Sequence, residues 1–255
     1  MPKKEDGLVV APPTGLTKKE QLPDYIPVGD QSGMEDVSQQ DVAMPRVGLC
    51  QSGTPERKKN DPKYIEGLDE GIFFNTTTKE IYGDRIRVIP IRFFKTRLKF
   101  FPLDDGGGID CQSLNGIDGG HYSATCAQCP HSKFTDGEHP SCFEIHNRVC
   151  LILPSGDVAA VSMKSTAIPV SKQWSAIAKM RNAPLFSAIY ELKSTPAVRG
   201  GNNFYTYTQR MVQNCSADDF KYARQLYESI SSKTIIVDQE SPVVEADTSF
   251  DAPAM

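Results

Sequence analysis

Apolar and polar positions alternate with a period of two over most of the middle of this chain, which predicts strands rather than helices. The stretch GIFFNTTTKEIYGD reads as a hairpin: an aromatic run, a polar Thr-rich connection, then Ile81-Tyr82 and a Gly-Asp turn. RIRVIPIRFFKTRLKFF follows as a long strand rich in β-branched and aromatic residues, and Pro90 in its middle predicts a bulge or an edge, because proline cannot donate to a ladder. Residues 104–145 lack such periodicity and are rich in Gly, Asp and Cys, so they read as an insertion. RVCLILPSGDVAAVSM predicts a second hairpin that turns at Pro154-Ser155-Gly156-Asp157. SKQWSAIAKMRN predicts a short helix with Ser171 as N-cap and with Trp174, Ile177 and Ala178 on a core-facing side. Two more strands, LFSAIYELKST and NFYTYTQRMV, precede a helix over SADDFKYARQLYESISS, opened by Ser216 with Asp218 and Asp219 in its first turn. Five or more strands with an interposed helix predict a mainly β fold, a Greek-key barrel of the OB type, with one or two helices; a generic α+β sheet is the alternative.

Residues 1–66 contain eight of the chain's eighteen prolines and neither Phe nor Trp, so they cannot bury enough surface to offset the entropy of ordering. They are expected to be a mostly disordered segment, with VAMPRVGLC as a short apolar piece able to dock. The folded domain is expected over 67–232, interrupted by the insertion at about 104–145, and followed by an acidic tail over 233–255. No run of 18 apolar residues is present, so no membrane-spanning helix is expected. The N-terminal MPKKEDGLVV has no signal-peptide core, which points to the cytoplasm and a reducing environment. There, an odd count of seven cysteines argues for metal binding or burial rather than for a disulfide framework.

A net charge of −4 argues against a nucleic-acid partner until its distribution is considered. From Arg85 to Leu103 there are six basic residues, four phenylalanines and no acid. If 93–101 is one strand, Phe93, Lys95, Arg97, Lys99 and Phe101 share a face, while Phe94, Thr96, Leu98 and Phe100 share the other. Single-stranded nucleic acid needs cations for its phosphates and rings for its unpaired bases. With Arg85, Arg87 and Arg92 this makes a candidate binding strand, to which Tyr205 and Tyr207 add two rings on a later one. The plain alternatives are an amphipathic strand with a basic polar face, and core packing for the two tyrosines. Between His146 and Cys215 eight basic residues face two acids, repeating the bias.

Cys111, Cys126, Cys129 and Cys142 are spaced C-x14-C-x2-C-x12-C within the weakly hydrophobic insertion. Four thiolates suit one tetrahedral structural zinc ion, whose binding can supply folding energy that so few apolar side chains cannot. His121, His131 and His139 lie among them, and one of them replacing a thiolate, most plausibly Cys111, is the alternative. Asp104, Asp105 and Asp110 form the only carboxylate cluster near the core, in a Gly-rich loop, and no P-loop, nucleophile elbow or HExxH occurs, so no catalysis is expected. Asp247, Phe250 and Asp251 give the acidic end an aromatic close to its terminus, a pattern that docks on basic, apolar pockets of partner proteins.

The layout resembles that of bacteriophage single-stranded-DNA-binding proteins. MPRVGLCQSGTPE, YIEGLDEGIFFNTTTKEIYGD, ATCAQCP, PLFSAIYEL and YARQLYESI carry the resemblance, over roughly residues 44–230. It implies an OB barrel that binds and protects single-stranded DNA in phage replication and recombination, with zinc ligands at Cys111, Cys126, Cys129 and Cys142 and replication partners recruited by the acidic tail. The chain departs from the mixed His and Cys ligands of one branch, and it lacks a strongly basic N-terminal arm. A structural or adaptor protein, with the cysteine element serving protein contacts, is the competing expectation.

Overall fold

The computed structural model describes residues 25, 32–37, 43–102, 107–135 and 139–237. It is mainly β: nine strands in one sheet that curls into a half-barrel, with two α-helices. The strands are β1 (Arg46–Leu49), β2 (Phe73–Asn75), β3 (Ile81–Gly83), β4 (Arg85–Phe100), β5 (Ile109–Ser113), β6 (Cys142–Leu153), β7 (Val158–Lys164), β8 (Ala188–Arg199) and β9 (Asn202–Asn214). Their order across the sheet is β3-β2-β1-β7-β6-β4-β8-β9, with β5 added on the side of β4. Every pairing is antiparallel except β1 with β7.

The predicted hairpins are present as β2–β3 and β6–β7. Order begins earlier than Gly67. Arg46–Leu49 fits between β2 and β7 as a four-residue strand, which a short apolar piece in a proline-rich stretch does not announce because its partners lie far along the chain. At the other end Val237 bridges to Met44, so the packed unit continues past residue 232.

The two faces of the sheet bury different clusters. One gathers Val47, Phe73, Val88, Cys150, Met163, Tyr190 and Leu192, and helix α1 (Ile168–Met180) inserts Trp174, fully buried, into it. The other gathers Ile89, Ile91, Val149, Leu151 and Ile189 beneath helix α2 (Ala217–Ile230) and Val237. Ser216 caps α2, its hydroxyl accepting from the Asp219 amide at 3.1 Å. Ser171 does not cap α1. The helix starts three residues earlier, with Pro169 in its first turn where the missing N–H costs nothing, and Ser171 is buried inside it.

The bulge expected at Pro90 is found: Pro90 pairs with Cys150 and Arg92 with Val149, which leaves Ile91 as the extra residue. Before it, Ile86 and Val88 point to the Trp174 cluster; after it, Phe94 packs on the α2 side. The second half of β4 therefore has its odd-numbered residues on the Trp174 side.

The open side of the half-barrel is bridged by Gln51 and Tyr205. Gln51, just beyond β1, donates to the carbonyl of Tyr205 at 2.9 Å and accepts from the Tyr205 amide at 2.8 Å, standing in for a strand partner of β9. The Tyr205 ring lies against Gly71, where an added Cβ would sit 2.5 Å from it and where φ is +76°, so only glycine fits. No helix of the described residues is long and apolar enough to cross a membrane.

Candidate nucleic-acid interface

The alternation in β4 is observed, but the face it forms is not open along its length. Phe93 and Lys95 are exposed, whereas Arg97 and Lys99 are half-covered. The acids missing from β4 arrive from its neighbours by register. Lys95 pairs with His146 and Arg97 with Glu144 across β6, and Lys99 pairs with Cys111 across β5. Glu144 accepts from Lys95 Nζ at 3.0 Å and from Arg97 Nη2 at 2.7 Å. Lys99 is bonded to Asp110, which also accepts from the Tyr122 hydroxyl at 2.7 Å. The insertion folds back over this face: Gly116 stands beside the Lys95 side chain, and the Lys99 ammonium lies 5.0 Å from the centre of the Tyr122 ring.

Behind Glu144 runs a hydrogen-bonded chain that the sequence did not reveal. His146 is 3 % exposed; its Nε2 lies 2.9 Å from Glu144 Oε1 and its Nδ1 lies 2.8 Å from Ser171 Oγ. Burial pushes the His146 pKa below its usual value, which favours the neutral ring; a Glu144 carboxylate can only accept, so in that form Nε2–H donates to it and Nδ1 is left to accept from Ser171. Arg148 in turn donates to Ser171 Oγ at 2.6 Å, to the Ser171 carbonyl at 2.8 Å and to Ser175 Oγ at 2.6 Å. Its guanidinium is sandwiched between Phe93 at 4.8 Å and Trp174 at 4.5 Å. Burial lowers its pKa to about 10, which leaves it charged at neutral pH. Burial would raise the Glu144 pKa, but the bonds from Lys95 and His146 and the charges of Lys95 and Arg97 outweigh it and hold the carboxyl at about 2.

The other residues of the predicted binding strand and its two tyrosines separate. Arg92 donates to the carbonyls of Ile230 and Lys233 at 2.5 and 2.6 Å, so it closes the end of α2. Tyr207 is partly buried against the core with its ring 5.8 Å from Phe73, and Tyr205 lies on Gly71 at the barrel seam. Phe101 is exposed at the end of β4. Asp247, Phe250 and Asp251 lie outside the described residues.

Arg85 and Arg87 belong to the opposite face from Lys95. There they meet two cations of the second basic stretch: Arg85 pairs with Lys193, Arg87 with Glu191, and Glu191 with Arg210. Arg85, Arg87, Lys193 and Arg210 are exposed, and they surround Glu191, which is buried. Glu191 accepts from Arg210 at 2.8 Å; that bond holds its carboxyl below the usual range, and Arg85 and Arg87 add to the effect. Arg85 also pairs with Asp84 at 3.4 Å. The result is a cationic field spread over β4, β8 and β9. The signal was a cross-strand one, invisible until register was known.

Cys111, Cys126, Cys129 and Cys142 line a single pocket together with Arg97. His121, His131 and His139 point elsewhere, to Asp110 and Tyr122, to Ser141, and to Phe134 respectively. Cys150 is fully buried in the core, as its apolar surroundings in the sequence imply.

A family model described as Pam3 phage gp34-like protein matches residues 17–236. No curated protein and no solved structure matches the chain.

Proposed function

This chain belongs to the Pam3 phage gp34-like protein family, and from that footing we propose that it binds and protects single-stranded DNA during phage replication or recombination, without catalysing a reaction. One observation carries the reading: Arg85, Arg87, Lys193 and Arg210, from three adjacent strands, stand exposed around Glu191, with Asp84 at the edge beside Arg85. A field of that kind suits a run of phosphates, because each phosphate neutralised releases condensed counterions. Phe93 on the other face of β4 and Phe101 just beyond the strand are exposed rings for a strand that passes round it, with Lys95, exposed though bonded to Glu144, beside Phe93. Arg92, Arg97, Lys99, Tyr205 and Tyr207 have internal partners and serve the fold. The acidic end with Asp247, Phe250 and Asp251 recruits replication or recombination proteins, and the site of action is the host cytoplasm.

A second reading, an adaptor, is favoured by one feature. The insertion exposes Ile117 and Phe134 at 67 % and 70 %, together with Tyr122. Fluorescence-anisotropy titrations of single-stranded DNA, duplex and RNA at two salt concentrations separate the two. Single-strand binding requires a large preference over duplex and an affinity that falls with salt. Failure to bind any of the three leaves the adaptor.

A further inference from the structure

The four insertion cysteines come from three separate parts of the fold. Cys111 and Cys142 lie on β5 and β6, both in register with Lys99, on either side of β4. Cys126 and Cys129 form a tight turn, with the Cys129 amide donating to the Cys126 carbonyl at 3.3 Å, and Ser132 Oγ ties both of their carbonyls at 2.7 and 2.8 Å. All four thiols are free of disulfides. They ring one pocket whose other walls are serines and glycines together with Tyr122, and Arg97 lines it beside them. Gly120 is one of those walls, and a Cβ there would lie 2.5 Å from Cys111 Sγ, so the sulfur occupies space that any other residue would close. Among the described residues no three His, Cys, Asp or Glu side chains are already drawn to a common point; the sulfurs surround a space rather than meet in it.

We propose that Cys111, Cys126, Cys129 and Cys142 hold one zinc ion as thiolates, and that Arg97 is the positioning residue that steadies the Cys142 sulfur. The donor set selects the metal. Four soft sulfurs satisfy tetrahedral zinc at about 2.3 Å, and no position remains for a reacting water, so the ion is structural. Four thiolates around a divalent ion leave a net charge of −2, which needs donors around it. Arg97 lines the pocket beside Cys142, and its guanidinium is held there by Glu144 at 2.7 Å. Such outer partners fix the orientation of ligands and tune the affinity of the site. Zinc thereby clamps β5, β6 and the Cys126–Cys129 turn onto β4, and it sets Arg97 to work on the metal rather than on phosphate.

The test uses the full chain, prepared under reducing conditions without added metal and titrated with cobalt(II). Saturation at one equivalent, with the strong visible bands of tetrahedral cobalt thiolate that excess zinc erases, is expected. Absence of those bands overturns the proposal, and so does an unchanged spectrum in the Cys126→Ser/Cys129→Ser variant. The wild-type titration stands even if that variant misfolds. For Arg97, chelator competition on zinc-loaded protein should show metal held about 10-fold to 100-fold less tightly in Arg97→Ala, and retention equal to the wild type removes Arg97 from the site.

Discussion

Arg97 and Glu144 are directly paired in the β4–β6 ladder, and their side chains meet at 2.7 Å on the face that also carries the four cysteines. Glu144 is the point at which the cations of β4 and the buried polar chain behind them are joined, since it also accepts from Lys95 and faces His146.

Acid should therefore loosen this junction in a defined window. The Glu144 carboxyl is held at about 2 instead of the usual 4.5, so its stabilising contribution is complete above pH 4.5 and is lost as pH falls towards 2. Urea unfolding of the wild type should show that loss. Glu144→Gln should be less stable at neutral pH by about 1–3 kcal/mol, as for hydrogen bonds to charged groups, and its stability should vary less across the same window.

Arg148→Ala removes a guanidinium packed between Phe93 and Trp174 and orphans its acceptors on Ser171 and Ser175. A loss of roughly 2–4 kcal/mol is expected from the cavity and the broken bonds together. Trp174 is the chain's one tryptophan and is fully buried, so a red shift of its emission reports the loosening directly. For the same reason DNA binding to the wild type should leave its emission nearly unchanged.

Gln51→Ala removes both bonds that hold β9 at the barrel seam. Expected are a destabilisation of about 1–3 kcal/mol and, more specifically, faster hydrogen exchange at the Tyr205 amide, with the amides in the centre of the β4–β6 ladder protected as before.

Arg85→Ala, Arg87→Ala, Lys193→Ala and Arg210→Ala combined should weaken single-stranded DNA binding at least tenfold and flatten its salt dependence, by about 0.7 in the log–log slope for each phosphate that is no longer neutralised. Lys95→Ala, Arg97→Ala and Lys99→Ala combined should act mainly on thermal stability, because Arg97 and Lys99 are held by Glu144 and Asp110. The reverse ranking in an anisotropy titration would move the interface to the β4–β6 face.

Period-two alternation made most of the long strands and both hairpins legible in the sequence, Pro90 announced the bulge, and the helical spacing around Trp174 announced its burial. It also told which β4 residues share a face. It could not tell what lies opposite that face. The nineteen acid-free residues looked like an open cationic ladder, yet Glu144 and Asp110 reach it from adjacent strands, and strand adjacency is set by long-range pairing. The Glu191 field was hidden for the same reason, since its four cations come from β4, β8 and β9. Strand β1 was legible only as part of an apolar piece able to dock, because four residues give too short a period to read as a strand, and its pairing with β7 spans more than a hundred residues. The cysteines were the reverse case. Their spacing is local enough to signal a cluster, and the fold brings all four to one pocket.

The single residue Ile91 has an effect out of proportion to its size. By adding one step to β4 it makes the two halves of the strand obey opposite rules of parity. The even-numbered side chains that fill the barrel give way to odd-numbered ones that meet Glu144, His146 and the insertion. Deleting Ile91 would make Pro90 and Arg92 consecutive rungs opposite Cys150 and Val149, so the alternation would run unbroken, and the kink with its extra apolar side chain on the α2 side would be lost.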